Sequence, residues 1–225
     1  MKYILYSVLF LYSLRSAGQE GSSGKPPELP RVALRANIGI PKIVSSKMYR
    51  NSFSGVVAGE AGLSYKLFSN YFFGLGYTYT YFKAQRYFRE NSSVNASMQM
   101  QGGYLKLGYD HFFKPTAFTT ISLNMGYQTG QYRGLKFAND SLVGKYPTQF
   151  GNAYVEPMVG IYFIVDPNFT FGAHLSYSYN FEQFNAQNIG FDKFGPTGYN
   201  QFHNRWSMSM FTLGFGFYYG IQRKR

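Results

Sequence analysis

Between Arg31 and Tyr219, bulky apolar side chains alternate with small or polar ones in eight separate stretches. A period of two is the spacing of side chains on opposite faces of a β-strand. "YFFGLGYTYTYF" (Tyr71 to Phe82) shows the pattern: Phe73, Leu75, Tyr77, Tyr79 and Tyr81 share one face, and Gly74, Gly76, Thr78 and Thr80 share the other. A strand in a water-soluble sheet normally buries its large face and carries charge on the opposite one. Here the opposite face carries none. The remaining stretches are "RVALRANIGI" (Arg31 to Ile40), "VVAGEAGLSYKLF" (Val56 to Phe68), "MQMQGGYLKLGYDHFF" (Met98 to Phe113), "FTTISLNMGYQT" (Phe118 to Thr129), "NAYVEPMVGIYFIV" (Asn152 to Val165), "FTFGAHLSYSYNF" (Phe169 to Phe181) and "FTLGFGFYY" (Phe211 to Tyr219). Each has about the length that a tilted strand needs to cross a bilayer.

Two irregularities predict local distortions. In the fourth stretch the apolar parity switches from Met98 and Met100 to Leu105, Leu107 and Tyr109, with Gly102-Gly103 at the break. That predicts a β-bulge at the two glycines. Pro157 has no N–H to give to a ladder and predicts a bulge or a strand end in the sixth stretch.

The connections alternate too. Ser69-Asn70, "KPTA" and "DPN" are tight turns, whereas Pro41–Gly55, Arg89–Ser97, Gly130–Gly151 and Glu182–Arg205 are long. Short turns at one end and long loops at the other mark a transmembrane β-barrel, with periplasmic turns and extracellular loops. An even strand number returns both termini to the periplasm. A lipocalin-like soluble barrel also has eight strands, but it shows polar residues to water. Charge decides between the two. Only 14% of residues are charged and 20% are aromatic, 22 Tyr and 23 Phe among them, against about 25% charged in an ordinary soluble domain. A cation facing lipid at mid-bilayer costs about 2–4 kcal/mol. Arg35, Glu60, Lys66, Lys106, Asp110 and Glu156 all fall on the weakly apolar face. That face is therefore read as the lumen, and the six residues as an internal ion-pair network, for which the glycines and threonines leave clearance. A lumen of eight strands is just wide enough to be filled by side chains.

The N-terminus reads as an export signal over residues 1–18, with Lys2, an apolar stretch from Tyr3 to Leu14, and Ser16-Ala17-Gly18. Residues 19–30, rich in Gly, Ser and Pro, read as a flexible periplasmic lead-in, and residues 31–225 as the barrel. The chain has no cysteine, hence no disulfide framework and no thiolate metal site.

By strand number, alternation, loop asymmetry and the aromatic final strand "FTLGFGFYY", the chain resembles the small eight-stranded outer-membrane barrels of Gram-negative bacteria. These are the OmpA-like transmembrane domain, OmpX-type proteins and the PorT-like family. The resemblance implies an all-β, eight-stranded antiparallel transmembrane barrel in the outer membrane and, through its PorT-like branch, a role in secretion across that membrane. It departs from the pattern past Tyr219, where "GIQRKR" follows the terminal aromatics.

The formal charge of +12 becomes +10 once Lys2 and Arg15 leave with the signal. Much of the excess lies toward the long loops, at Lys42, Lys47, Arg50, Lys83, Arg86, Arg89, Arg133, Lys136, Lys145, Lys193 and Arg205. An exported barrel seldom meets nucleic acid, so this rim is assigned to lipopolysaccharide phosphates. Phe191, Phe194, Tyr199, Phe202 and Trp206 make the last loop aromatic. They suit an interfacial girdle, or a docking surface for other outer-membrane or secretion-complex proteins. An enzymatic alternative rests on His174 and Ser176, whose His-x-Ser spacing resembles barrel-type lipid A deacylases, with Glu156 or Glu182 as the orienting acid. A narrow solute pore is the second alternative. No histidine pair has metal-ligand spacing, and no cofactor is implied. The leading reading is a non-enzymatic structural or accessory barrel that binds partners through its long loops.

Overall fold

A computed structural model describes residues 29–45, 50, 53–84, 93–138, 141–184 and 206–221. Eight strands follow one another along the chain: β1 (Val32–Ile43), β2 (Phe53–Lys66), β3 (Tyr71–Ala84), β4 (Ser93–Lys114), β5 (Ala117–Ala138), β6 (Ser141–Asp166), β7 (Phe169–Phe184) and β8 (Trp206–Ile221). Each pairs antiparallel with its sequence neighbours, and β8 closes on β1 from Val32↔Ile221 to Ile43↔Met210, so the sheet is a closed barrel. Closure removes every edge within the barrel wall. It also uses the chain beyond Tyr219, since Gly220 and Ile221 still pair with β1.

The two faces divide as the alternation predicts. Leu34, Ile38, Leu63, Leu75, Leu105, Ile121, Val159, Leu175 and Leu213 are all exposed on the outside, with Leu213 at 68%. A continuous apolar belt of this kind has no place in water and fits the hydrocarbon of a bilayer. Outward tyrosines flank the belt. Tyr65, Tyr71 and Tyr219 lie toward the short turns, and Tyr77, Tyr127 and Tyr179 toward the long connections. Tyr71 and Tyr109 pack at 4.8 Å between ring centroids, as a girdle does.

The inward glycines are sockets for rings. A Cβ on Gly76 would lie 2.5 Å from the Tyr104 hydroxyl, and one on Gly108 would lie 2.3 Å from Phe72. The clearance on the small face of "YFFGLGYTYTYF" thus serves Tyr104, whereas the sequence had pointed to charged neighbours.

Three local expectations are corrected. The β3–β4 and β4–β5 registers run through Gly102 and Gly103 without a shift, so there is no bulge there. Met98 and Met100 are instead fully buried inside the barrel, on the same face as Tyr104, Lys106 and Asp110. Pro157 sits in mid-strand, paired with Leu123 on one side. On the other side the β6–β7 pairing skips from Val155↔Tyr179 to Met158↔Ser176 without changing register. The missing N–H removes ladder bonds and leaves the alignment intact. Finally, Gly130–Gly151 is not a loop. β5 and β6 stay paired from Ala117↔Phe163 to Ala138↔Ser141, forming one hairpin that runs far past the belt.

Candidate functional site

Two places carry chemistry: the lumen and the end bearing the long connections. The lumen has three layers. Toward the short turns, Leu29, Ala33, Phe118, Tyr162 and Tyr218 form an apolar plug, with Phe112 and Ile164 against it. Toward the long connections, Ile43, Phe53, Phe82, Met98, Met100, Tyr132, Met208 and Met210 form another, joined by Phe150. Phe150, inside the Gly130–Gly151 stretch that reads from sequence as a loop, packs its ring at a tilt 5.0 Å from that of Tyr132. The sequence parity of Met98 and Met100 was the available sign of this second plug.

Between the plugs lie the charges. Arg35 Nη2 is 2.7 Å from Asp110 Oδ2, and its Nε donates to Ser64 Oγ at 3.1 Å. The guanidinium lies over the Phe72 ring at 3.6 Å and near that of Tyr218 at 4.6 Å. Thr120 Oγ1 donates to Asp110 Oδ1 at 2.6 Å. The second pair is Lys106 Nζ and Glu60 Oε1 at 2.5 Å. Glu60 also accepts from Asn37 Nδ2 at 2.5 Å and from Asn124 Nδ2 at 2.8 Å. Each pair is thus supplied with further hydrogen bonds, the condition under which buried ions are tolerated. The expected six-member network is two discrete pairs. Lys66, the last residue of β2, and Glu156 stand in no ion pair among the described residues. Pairing depends on which residues the stagger of the strands brings to one level, and parity does not carry that information.

His174 and Ser176 face the lumen on β7, both buried. Glu156 lies across from them, with Ser176 and Asn124 within hydrogen-bonding reach of its carboxylate. A catalytic triad needs the acid on one imidazole nitrogen and the hydroxyl on the other. Here Ser176 meets the carboxylate directly, and His174 Nδ1 has no hydrogen-bond partner. The Glu182 side chain lies outside the described residues. Among the described residues, no group of three or more His, Cys, Asp or Glu side chains is arranged to hold a metal ion.

At the other site, Lys42 and Lys83 are exposed on the outer face, each two residues beyond Ile40 and Tyr81 respectively. Arg133 is exposed and donates to Gln131 Oε1 at 3.1 Å, and Arg50 is exposed as well. Lys47, Arg86, Arg89, Arg205, Phe191, Phe194, Tyr199 and Phe202 lie outside the described residues, as do the side chains of Lys136 and Trp206.

The unexpected element is a projecting sheet. β4, β5 and β6 have 22, 22 and 26 residues, against 12 to 16 for the other strands. About ten suffice to span a bilayer. Ser141 to Ala153 of β6 pair with β5, but among the described residues no strand pairs with them on the β7 side. Among the described residues, nothing bonds to the backbone donors and acceptors along that edge.

No protein-family model matches the sequence, and no curated protein matches it. Solved structures do. A major outer membrane protein from Thermus thermophilus aligns over 84% of this chain and 98% of its own, at 11% identity and a TM-score of 0.58. Neisserial surface protein A covers 86% of this chain and 99% of its own, at 14% identity and a TM-score of 0.44. The N-terminal β-barrel domain of Pseudomonas aeruginosa OprF covers 85% and 100%, at 15% identity and a TM-score of 0.40. The Thermus likeness shows the fold, which is that of outer-membrane barrels.

Proposed function

We propose that this chain is an integral outer-membrane barrel that acts without catalysis, docking another protein of the membrane or its outer surface onto the sheet that projects from its long-connection end. The observation that carries this reading is the β6 edge from Ser141 to Ala153, which no described strand pairs with on its β7 side. An unpaired edge of that length is an adhesive surface, because an extended segment of a partner gains main-chain hydrogen bonds by adding to it.

In this reading the projecting sheet is extracellular and both termini are periplasmic. The resemblance to PorT-like barrels adds one specific form, an accessory role in a secretion or assembly complex. Lys42 and Lys83, exposed just beyond the apolar belt, are suited to the phosphates of lipopolysaccharide, since long cationic side chains at a membrane boundary reach for anionic headgroups. The hydrolase alternative requires His174 to bridge Ser176 and a carboxylate, and none of the described hydrogen bonds does so. The pore alternative has to pass two apolar plugs.

The test is site-specific photocrosslinking in cells. A photoreactive residue at Gln149, exposed on the edge strand, should yield one discrete protein adduct, and the same residue at lipid-facing Leu213 should not. Replacing residues 134–146 with a short turn should abolish the adduct while the barrel still assembles. Equal labelling at the two positions overturns the docking reading.

A further inference from the structure

The charges between the plugs do not cancel. Among the described residues, Arg35 and Lys106 stand against Asp110, Glu60 and Glu156, and the four residues in ion pairs leave Glu156 over. An uncompensated carboxylate in a barrel interior is costly to keep. Beside it is a cavity of about 20 Å³, lined by Glu156, Tyr154, His174, Ser178 and Thr80 among others. Three of these residues are more than nine-tenths buried and have a polar atom with no hydrogen-bond partner: Tyr154 OH, His174 Nδ1 and Ser178 Oγ. Of all such orphaned atoms among the described residues, only Asn168 Oδ1, in a turn, lies off the β5–β6–β7 wall. The β6–β7 register sets Ser178 opposite Glu156 at the point where Pro157 interrupts the ladder. Buried polar atoms are rarely left without a partner, and here three of them line the cavity beside the one charge between the plugs that has no ion pair among the described residues.

We propose that this cavity holds a single hard monovalent cation of the sodium or potassium class, bound by the Glu156 carboxylate and the hydroxyl oxygens of Tyr154 and Ser178. His174 Nδ1 accepts a hydrogen bond from a water on the ion. Size, charge and donor chemistry choose the occupant. The space suits a water-sized particle or a small ion better than an organic amine. One uncompensated negative charge matches one positive charge. Carboxylate and hydroxyl oxygens suit hard cations, and no described cluster of ligating side chains suits a transition metal. A neutral water alone would satisfy the hydroxyls but leave the carboxylate uncompensated.

The experiment is urea unfolding of the purified barrel in synthetic bilayers, with sodium, potassium or choline chloride at equal ionic strength. Choline, a bulky quaternary cation, has no hydration-stripped form small enough to be held by carboxylate and hydroxyl oxygens as a hard ion is. The unfolding midpoint should be higher in sodium or potassium than in choline, and above half-saturation each tenfold rise in the small cation should lower the unfolding constant about tenfold. Glu156→Gln should unfold at one midpoint in all three salts. If that variant does not assemble, Ser178→Ala carries the comparison and should move half-saturation to higher cation concentration. A wild-type midpoint that is the same in all three salts means that water or a proton on Glu156 satisfies the site, and it overturns the proposal. So does a folded Glu156→Gln that keeps the full cation dependence.

Discussion

Lys106 is 3% exposed, and its ammonium has a carboxylate at 2.5 Å. Removing one member of such a pair strands the other charge, which costs about 3–5 kcal/mol, whereas removing both costs far less. Lys106→Met should therefore lower the unfolding free energy in bilayers by about 3–5 kcal/mol, and adding Glu60→Gln should restore most of the loss. Equal losses in the single and double variants would refute the pairing. That Arg35, Glu60, Lys106 and Asp110 face inward follows from parity along each strand. That Arg35 takes Asp110 and Lys106 takes Glu60 does not, because partners 46 and 75 residues apart meet only through the stagger of strands around the barrel. The same holds for Gly76. Its smallness is plain in the sequence, but the ring that fills the space, Tyr104, comes from the neighbouring strand.

At the level of elements, the apolar belt and the projecting hairpin make opposite demands on their residues. Leu213 lies in the middle of β8, paired with Ile40 and Leu175, and faces outward. Leu213→Arg should cost about 2–4 kcal/mol of bilayer-folded stability, against about 0–1 for the same charge placed near the belt's margin. Trimming residues 134–146 removes only strand that lies beyond the belt, so the shortened barrel should show the gel-mobility shift between unheated and boiled samples that a folded barrel gives. Loss of that shift would mean that the hairpin is needed for folding. Strand existence was legible throughout, since a period of two over ten residues has one structural meaning. Strand length was not. Past the bilayer nothing requires alternation of apolar and polar, and the β5–β6 hairpin continues on backbone pairing through a segment whose pattern reads as loop.

For the molecule as a whole, the order of layers decides transport. Both ends of the lumen are closed by buried aromatic and aliphatic groups, and a hydrophobic constriction excludes water and ions. In planar bilayers the purified barrel should give no discrete conductance steps. Shortening the long-connection plug, with Phe82→Ala and Met210→Ala together, leaves the other plug in place and should not open a path either. Steps in the wild type would show that the plugs do not seal.

By itself, the sequence determined that eight strands alternate, which face of each meets lipid, that the chain closes on itself, and which charged residues are internal. All of these follow from local periodicity and from the cost of a charge in hydrocarbon. Tertiary structure decided the rest: that the inward Met98 and Met100 meet other side chains in a plug, that Glu156 is the charge between the plugs with no ion pair among the described residues, and that no described strand pairs with β6 from Ser141 to Ala153 on its β7 side. Those are relations between residues far apart in sequence, and they exist only once the stagger of a closed barrel sets which side chains share a level.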